Sequence, residues 1–347
     1  MIVNREKLIM ALQMVRPGLA RKELIEQSDS FVFTKGNVHS YNDELSVSFP
    51  VDFHVEGAVR AKEFFDLLNK TKEDELDIEA VEGGLTVKGR KYNATIKFQP
   101  DIVLPIFFGD DETYDWKDLP ADFSIGVASC LFSVGKDMSE PVLTCIHVTG
   151  NTVESCDRFR LTRYIMSPSG DAPTQDANIT DDLLIPATAA RELSKYDPIQ
   201  YAIAAGWIHF SSAVGTLFSC RTYSQLKFPD LTKNLEIVGG VVKFPEDMSD
   251  MLTRASIFAG DSLSGTPTVS VTIGDGKIIV RGVQDSGSFE EWSRIRYEGP
   301  PLSFHINPAF LFSILNSKCD AVAAETRLKF QNANFTHVVC TILGSSK

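Results

Sequence analysis

Apolar residues recur at helical spacing in two distant segments of the chain. Val59–Asn69 and Ile306–Asn316 each run from an apolar strand end into a short helix, and aligned on the asparagine they share four apolar helical positions. Leu184–Leu193 is a weaker copy between them, with Pro186 where a first helical turn tolerates proline. The spacing predicts a unit of roughly 115 to 125 residues that occurs three times.

Runs of alternating apolar and polar residues surround these helices, as in half-buried β-strands. Upstream runs flank turns at Gly36-Asn37, Gly150-Asn151 and Asp275-Gly276, a good hairpin signal. Further alternating runs follow each helix, at Leu76–Val87, Ile199–Phe210 and Arg327–Ile342. Each unit also opens with a strand and a helix, so that its predicted order is β-α-β-β-β-α-β-β-β.

The fold class is therefore α+β, with three repeated two-helix, antiparallel-sheet domains. The predicted domains are residues 1–118, 119–235 and 236–347, with Pro-rich and charged joints at Gln99–Asp118 and Gln225–Glu236. Three unrelated α+β domains of similar size are the alternative interpretation.

Composition places the chain among soluble, intracellular proteins. It has 347 residues, 43% of them hydrophobic, with no apolar run of eighteen and with charges in the first seven positions. Six cysteines without a Cys-x-x-Cys pair are expected to be reduced and mostly buried. We expect a cytoplasmic location, no membrane association and no metal site.

The net charge of −12 argues against passive nucleic-acid binding only if the charge is spread evenly. The predicted helices carry 14 basic and seven acidic residues, a net charge of +7, and the rest of the chain carries −19. Lysine and arginine are also good helix formers, as glutamate is, so the surplus allows a functional basic face without requiring one. These helices are Asn4–Lys22, Arg60–Lys72, Ala128–Lys136, Pro186–Lys195, Pro245–Arg254 and Asn307–Lys318.

The sequence lacks a Walker A motif, a Gly-x-Gly-x-x-Gly after a strand, a Gly-x-Ser-x-Gly and a His-Glu-x-x-His. The six histidines stand apart, and those in strand runs (His39, His147 and His209) are expected on sheet faces or in the core. We therefore expect a protein that is not an enzyme, with no catalytic residues and no cofactor.

Four segments resemble the bacterial-type DNA sliding clamp, the family of the DNA polymerase III β subunit. Thr152–Leu161 resembles the family's T-A-T-D-G-H-R-L strand, and Phe218–Leu231 resembles its F-x-S-[KR]…F-P-D-[YF] junction. Leu184–Ala187 resembles V-I-V-P-[RA], and Thr253–Phe258 resembles A-R-A-x-x-[LV]. The likeness covers essentially the whole chain and is strongest in the second predicted domain.

The resemblance implies a head-to-tail homodimeric ring that encircles duplex DNA without sequence specificity. Such a ring acts as a processivity factor: a clamp loader opens it, and it tethers a DNA polymerase at high effective concentration. The residues that the resemblance places at the dimer interface are Tyr92, Ala94, Ile257 and Phe258. The residues expected to contact DNA are Arg16, Arg21, Lys22, Lys70, Lys72, Lys136, Lys195, Arg254 and Lys318.

Family members hold partner peptides in an apolar groove between the second and third domains. The matching positions here are Leu143, Cys156, Arg158, Phe159, Arg160, Leu161, Pro229, Val338, Val339, Cys340 and Ile342. The family's Gly-His is replaced by Arg158-Phe159, and its C-terminal M-P-[MVI]-[RK]-[LV] by Cys340–Lys347. We expect an altered peptide preference, as would suit a bacteriophage-encoded clamp in the host cytoplasm.

Two alternative functions share these features in part. A virion structural or assembly protein would have the β content and the acidic charge, and would need neither basic helices nor the Phe228-Pro229-Asp230 junction. A clamp-like decoy that sequesters host replication partners would keep the fold without the function.

Overall fold

The computed structural model describes residues 1–106, 114–167, 179–261, 267–315 and 319–343. Its helices are α1 Arg5–Val15, α2 Ala61–Lys70, α3 Phe123–Cys130, α4 Ala187–Leu193, α5 Thr232–Leu235, α6 Met248–Ser256 and α7 Pro308–Leu315. Single 3-10 turns lie at Arg16–Gly18, Leu131–Ser133 and Pro141–Thr144. In the described residues, no helix has both the length and the apolar character that crossing a membrane requires.

The strands are grouped here by the predicted repeats, and in each group one strand precedes the first helix. The first group is β1 Ile2–Asn4, β2 Ser30–Thr34, β3 Asn37–Tyr41, β4 Leu45–Pro50, β5 Gly57–Arg60, β6 Glu75–Val81, β7 Gly84–Lys88 and β8 Asn93–Gln99. The second is β9 Lys117–Asp118, β10 Cys145–Gly150, β11 Thr152–Cys156, β12 Arg160–Ile165, β13 Ile179–Pro186, β14 Pro198–Ala204, β15 Trp207–Ser212 and β16 Leu217–Arg221. The third is β17 Gly240–Lys243, β18 Gly260–Asp261, β19 Pro267–Gly274, β20 Lys277–Gln284, β21 Gly287–Arg294, β22 Arg296–Glu298, β23 Leu302–Ile306, β24 Asp320–Ala323, β25 Arg327–Gln331, β26 Phe335–Cys340 and β27 Ile342–Leu343.

Four strands in each of the first two groups, and six in the third, lie between the two helices, rather than the predicted three. The extra strand in the first group is β4, in which Leu45, Ser46, Val47 and Ser48 are all buried. Its sequence does alternate, since Leu45, Val47 and Phe49 are apolar and Ser46 and Ser48 are polar, so the signal for this strand was present and the prediction missed it. The α+β class and the antiparallel pairing are confirmed.

The hairpin turns are confirmed, with one shift. Asp275 and Gly276 have φ of 51° and 72°, the left-handed pair that a tight two-residue hairpin requires. The first turn uses Lys35 and Gly36, at φ of 48° and 72°, one residue earlier than predicted. A Cβ added at Gly36 or Gly276 would meet nothing within 4 Å, so backbone conformation rather than packing favours glycine at both sites.

The predicted helix bounds were too generous, and this changes the charge argument. The third helix spans Phe123–Cys130 and not Ala128–Lys136. Within the observed bounds the helices carry seven basic and five acidic residues, so most of the predicted surplus disappears. The basic side chains lie instead in the segments that directly follow helices, as Arg21, Lys72 and Lys195 do.

The chain forms two compact units, and the first contains Met1–Ala128 and Pro168–Gln225. Its described strands form a twelve-stranded antiparallel sheet in the order β1-β6-β7-β8-β5-β2-β3-β4-β16-β15-β14-β9. Asn4 caps α1 by accepting the Lys7 N–H at 3.0 Å, and α1 buries Leu8, Leu12 and Val15. Helix α2 buries Phe64 and Leu68 in the same way.

The second unit contains Ser129–Ser167 and Leu226–Lys347. One sheet of this unit runs in the order β10-β11-β12-β26-β25-β24-β17-β22, and the other in the order β21-β20-β19-β23-β27. Helices α6 and α7 pack on each other, with Met251, Leu252 and Leu311 fully buried in one core with strands of both sheets.

Within each unit, a sheet continues from one predicted domain into the next. Strand β4 pairs with β16, with Leu45 opposite Cys220, and β12 pairs with β26, with Leu161 opposite Val338. These pairings join chain segments that lie more than a hundred residues apart, which explains why the compact units do not follow the thirds of the sequence. The boundaries 1–118, 119–235 and 236–347 stay a prediction.

A buried polar cluster lies at the β12–β26 pairing. His337 is fully buried, and its Nδ1 lies 3.0 Å from the Thr162 hydroxyl, which hydrogen-bonds Ser133. Burial lowers the pKa of His337 to about 3 and that of His39, in the first unit, to about 4. Both imidazoles are therefore neutral in the folded protein.

We predict an acid-sensitive stability that His337 supplies in part. The His337 pKa in the folded protein lies below the ordinary 6.5, so the unfolded state binds a proton more readily. The free energy of unfolding is therefore unaffected above pH 6.5 and decreases as the pH falls toward the folded pKa, by up to about 1.4 kcal/mol per pH unit. Because His337 lies among Phe132, Phe330 and Phe335, His337→Phe should flatten this decline between pH 6.5 and 4.5. Denaturant unfolding across that range measures it.

The matched control is His54→Gln, since His54 is exposed beside Asp52. An acid dependence that is the same in His337→Phe as in the wild type would contradict the assignment.

Candidate functional site

Asp157 shapes the hairpin between β11 and β12. Its Oδ1 accepts the N–H groups of Phe159 at 2.8 Å and Arg160 at 2.6 Å, and its Oδ2 accepts Nη2 of Arg160 at 2.8 Å. These bonds close a tight turn and direct the two residues at its tip outward. Arg158 and Phe159 are accordingly exposed, Phe159 to 43%.

An aromatic and cationic stack lies beside this tip. The Phe159 and Phe310 ring centroids are 6.1 Å apart, and the Arg160 guanidinium lies 4.3 Å from the centroid of the Phe310 ring. Phe310 belongs to α7 and was not among the predicted groove residues. The sequence does offer one indication of its exposure. Phe310 directly precedes the buried Leu311 on a short helix, and neighbouring residues of a helix point in different directions.

The predicted groove residues divide into a surface and a floor. The Cys340 N–H donates to the Phe159 carbonyl at 2.8 Å, and Ile342 is 53% exposed. Leu161, Val338 and Val339 are buried, so they form the packed layer under that surface. Cys156 is also buried, which raises the pKa of its thiol to about 12 and makes it unreactive.

Arg158 lies at the tip and pairs with two carboxylates. Its Nη2 is 3.1 Å from Oε1 of Glu140 and 3.9 Å from Oδ2 of Asp137, and the side chain is 60% exposed. Leu143 is half-buried, and its carbonyl accepts the Gly135 N–H at 2.8 Å. The Arg158 side chain thus links the hairpin to the 137–140 loop, where the family motif has glycine.

Pro229 is exposed in the junction segment before α5. Beside it, Asp230 accepts the Thr232 N–H at 2.9 Å, which holds the pKa of the Asp230 carboxyl below its ordinary value. Leu231 and Leu235 are buried, and α5 packs on β26. All eleven predicted groove residues thus belong to the second unit.

The candidate DNA-contacting cations are exposed, and two of those in the described residues are paired. Lys195 Nζ lies 2.9 Å from Glu192, and the Arg254 guanidinium makes two 2.8 Å hydrogen bonds to Glu291. The Arg254 pairing is a feature that the sequence did not reveal. Within the described part of the chain, no carboxylate pairs with Arg16, Arg21, Lys22, Lys70, Lys72 or Lys136. Lys318 lies outside the described residues.

Four of these six cations lie around two clefts of the first unit. Arg16 and Arg21 line a cleft of about 360 Å³ that also contains Phe65, and the Arg16 guanidinium lies 4.7 Å from the Phe65 ring centroid. Lys70 and Lys72 line a larger cleft of about 1270 Å³ at the end of α2. Carboxylates line both clefts as well, such as Asp66 in the first and Glu73 in the second, so the clefts are of mixed charge.

The predicted interface residues lie at or beside incompletely paired strands. Ala94 belongs to β8, in which only Phe98 and Gln99 pair with β5, so the other side of Asn93–Lys97 has no strand neighbour among the described residues. Tyr92 precedes this strand and donates its hydroxyl to Thr71 Oγ1 at 3.1 Å.

In the second unit, the sheet that packs on α6 ends at β21, which has no strand beyond it in the described residues. Ile257, at the end of α6, is 66% exposed, and Phe258 follows it. A strand edge and an apolar helix end are therefore both available in this unit for a partner.

Solved structures with the same fold are DNA sliding clamps. The chain matches the DNA polymerase III subunit beta of Pseudomonas aeruginosa with a TM-score of 0.82 and 18% identity, over 99% of both chains. The sliding clamp of Bartonella birtlesii, solved bound to griselimycin, matches with a TM-score of 0.83 and 18% identity, also over 99% of both chains. The β subunit of Thermotoga maritima matches with a TM-score of 0.82 and 14% identity over 99% of both.

No protein-family model and no curated protein sequence matches the chain. The similarity therefore lies in the arrangement of elements, at sequence identities of 14% to 18% among these three structures. The resemblance expected from the sequence is confirmed over the whole length, and the chain has the fold of the bacterial DNA sliding clamp, the β subunit of DNA polymerase III.

Proposed function

We propose that this protein is a DNA sliding clamp, a non-enzymatic processivity factor that encircles duplex DNA and tethers a polymerase. The observation that carries the proposal is the agreement with clamp structures over 99% of both chains at a TM-score of 0.82. A clamp holds DNA by topology, so it needs only loose, sequence-independent contacts with phosphates. The exposed cations without carboxylate partners are suited to such contacts.

A ring requires that one copy's surface close onto a different surface of the next. The free edge of β8 and the outer edge of β21 are suited to pairing head to tail. Arg90, Lys91 and Lys97 lie along or beside β8, whereas Glu290 and Glu291 on β21 already face Arg281 and Arg254, so backbone pairing rather than charge supports this contact. We propose a homodimer closed through these edges, with Ile257 and Phe258 beside them, which a clamp loader opens.

Partner proteins would bind at the hairpin tip, the junction and Ile342. The Phe159–Phe310 stack and Ile342 offer exposed apolar surface for a short peptide. Arg158, which pairs with Glu140, occupies the position where the family has glycine, so its side chain restricts which peptides the groove can bind. This departure favours a polymerase peptide different from that of the bacterial host.

The first prediction concerns topology and salt dependence. The protein, once loaded, should stay on nicked circular DNA and slide off after linearisation. Replacing Arg21, Lys22, Lys70 and Lys72 by alanine should reduce the slope of log affinity against log salt, by about 0.9 for each phosphate that the variant no longer neutralises. Retention on circular and linearised DNA and a salt titration measure these effects.

The matched control replaces four other exposed lysines, Lys227, Lys233, Lys243 and Lys277, by alanine. An unchanged slope in the first variant would refute the basic face, and retention on linear DNA would refute encirclement.

The second prediction concerns self-association. Ile257→Asp should convert the dimer to a monomer, because it places a charge in an apolar contact. The fold of the monomer should be unaffected, since the Ile257 side chain is exposed. Sedimentation equilibrium measures the mass. Val214→Asp, at a similarly exposed position of 64%, should leave the dimer intact. A monomeric wild type, or a dimer insensitive to Ile257→Asp, would contradict the interface.

The third prediction concerns peptide choice. Arg158→Gly with Phe159→His restores the family motif and should tighten binding of the host polymerase's clamp-binding peptide at least about tenfold, or 1.4 kcal/mol. Ile342→Asp should abolish that binding, and Val283→Asp, at a position 51% exposed in the same unit, should not. Fluorescence anisotropy with the labelled peptide measures each affinity. Tight wild-type binding that Ile342→Asp leaves unchanged would refute the groove.

A further inference from the structure

A buried carboxylate lies between two cationic or titratable side chains in the second unit. Glu154 is 5% exposed, and Nε of Arg163 donates to its Oε1 at 2.5 Å. Nδ1 of His147 lies 3.4 Å from the other carboxylate oxygen. A buried carboxylate requires such partners, because an unpaired charge in the interior is strongly unfavourable.

Both partners of Glu154 also contact the junction segment Phe228–Leu235. The His147 ring stacks on Phe228, with centroids 4.7 Å apart and planes 19° apart. Nη2 of Arg163 donates to the Thr232 hydroxyl at 3.4 Å. Glu154 thus aligns two side chains that hold the segment, one near its beginning and one at the first residue of α5.

This segment adjoins the proposed peptide groove. It carries the exposed Pro229, and α5 packs on β26, the strand whose Cys340 N–H binds the Phe159 carbonyl. His147 lies on β10, Glu154 on β11 and Arg163 on β12, and all three side chains are mostly buried. They can therefore affect a bound peptide only through the position of the junction.

We propose that Arg163 is a positioning residue for partner binding, which fixes the Phe228–Leu235 segment as one wall of the groove through Glu154, His147 and Thr232. The proposal rests on the proposed function, since it needs the groove to bind peptides. It assigns a role to His147 and Arg163, which lie outside the segments that resemble the family, and to Glu154, which lies within Thr152–Leu161 and was not among the predicted groove residues.

The charges around Glu154 predict a distinctive pH profile for one variant. In Arg163→Met, His147 is the nearest group that can become a cation beside Glu154, and protonation of His147 at lower pH would restore the missing charge. Among the described residues, Asp230 on the junction also faces Arg163, and Lys233 lies near Asp230. The wild type already has a permanent cation there and needs no such compensation.

The experiment measures anisotropy of the labelled clamp-binding peptide at pH 8 and pH 6 with the full-length protein. Arg163→Met should bind about tenfold more weakly than the wild type at pH 8 and within about threefold of it at pH 6. Arg163→Lys, which keeps the charge, should stay within about threefold at both values. Arg296→Met removes an exposed arginine of β22 in the same unit and should change nothing.

Hydrogen exchange of residues 226–235 provides a second measurement that does not need the peptide. Arg163→Met should accelerate exchange there at pH 8, after correction for intrinsic rates, and less so at pH 6. Thr232→Val removes the hydroxyl that accepts from Arg163 and leaves no buried charge unpaired, so it should accelerate exchange to a smaller extent. This variant tests the same contact if Arg163→Met does not fold.

The outcomes separate the two proposals. Peptide binding by the wild type together with an Arg163→Met affinity that is unchanged, or equally weak at both pH values, overturns the positioning role alone. Absence of peptide binding in both the wild type and the Arg158→Gly, Phe159→His variant overturns the groove and, with it, this proposal. Accelerated exchange and a pH-dependent decrease in affinity support both.

Discussion

Backbone pairing across distant parts of the chain is the constraint on which the rest of the structure depends. Every strand edge exposes N–H and C=O groups that must be paired or protected, and a repeat that ends in an open edge invites another strand. Here the edge of β4 pairs with β16, and the edge of β12 pairs with β26, so that two sheets continue through the predicted domain junctions. Strands β8 and β21 keep edges without a strand partner among the described residues, and these are the edges through which we propose that a second copy pairs.

The same pairing explains where the candidate peptide site lies. The β12–β26 register brings Arg160 opposite Val339 and joins the hairpin tip to the end of β26. Residues that are about 180 positions apart in sequence thereby share one surface, with a packed apolar layer beneath it. His337 lies in this pairing as a neutral buried base, so the β12–β26 contact combines fold stability with the geometry of the site.

Sequence patterns predicted the repeats, the hairpin turns and the α+β class because each depends on local rules of periodicity and turn chemistry. They missed β4, although Leu45–Phe49 alternates between apolar and polar residues, and they misplaced α3, where an apolar run gives no helical boundary. Candidate residues with their own motif, such as Arg158 and Phe159, were found by resemblance. Phe310, Glu140 and Glu291 were missed, since their contacts with Arg160, Arg158 and Arg254 arise only from tertiary packing.

The distribution of charge shows most clearly how tertiary structure changes a conclusion drawn from sequence. The helices themselves have only a small basic excess within their observed bounds, and Arg254 is neutralised by Glu291. The cations free of carboxylates cluster where helices end, and cations near helix C-termini are also favoured by the helix dipole. Charge at these positions therefore has a structural cause as well as a proposed use. A ring that slides needs no more than this, because enclosure by the ring, rather than contact strength, would keep it on the duplex.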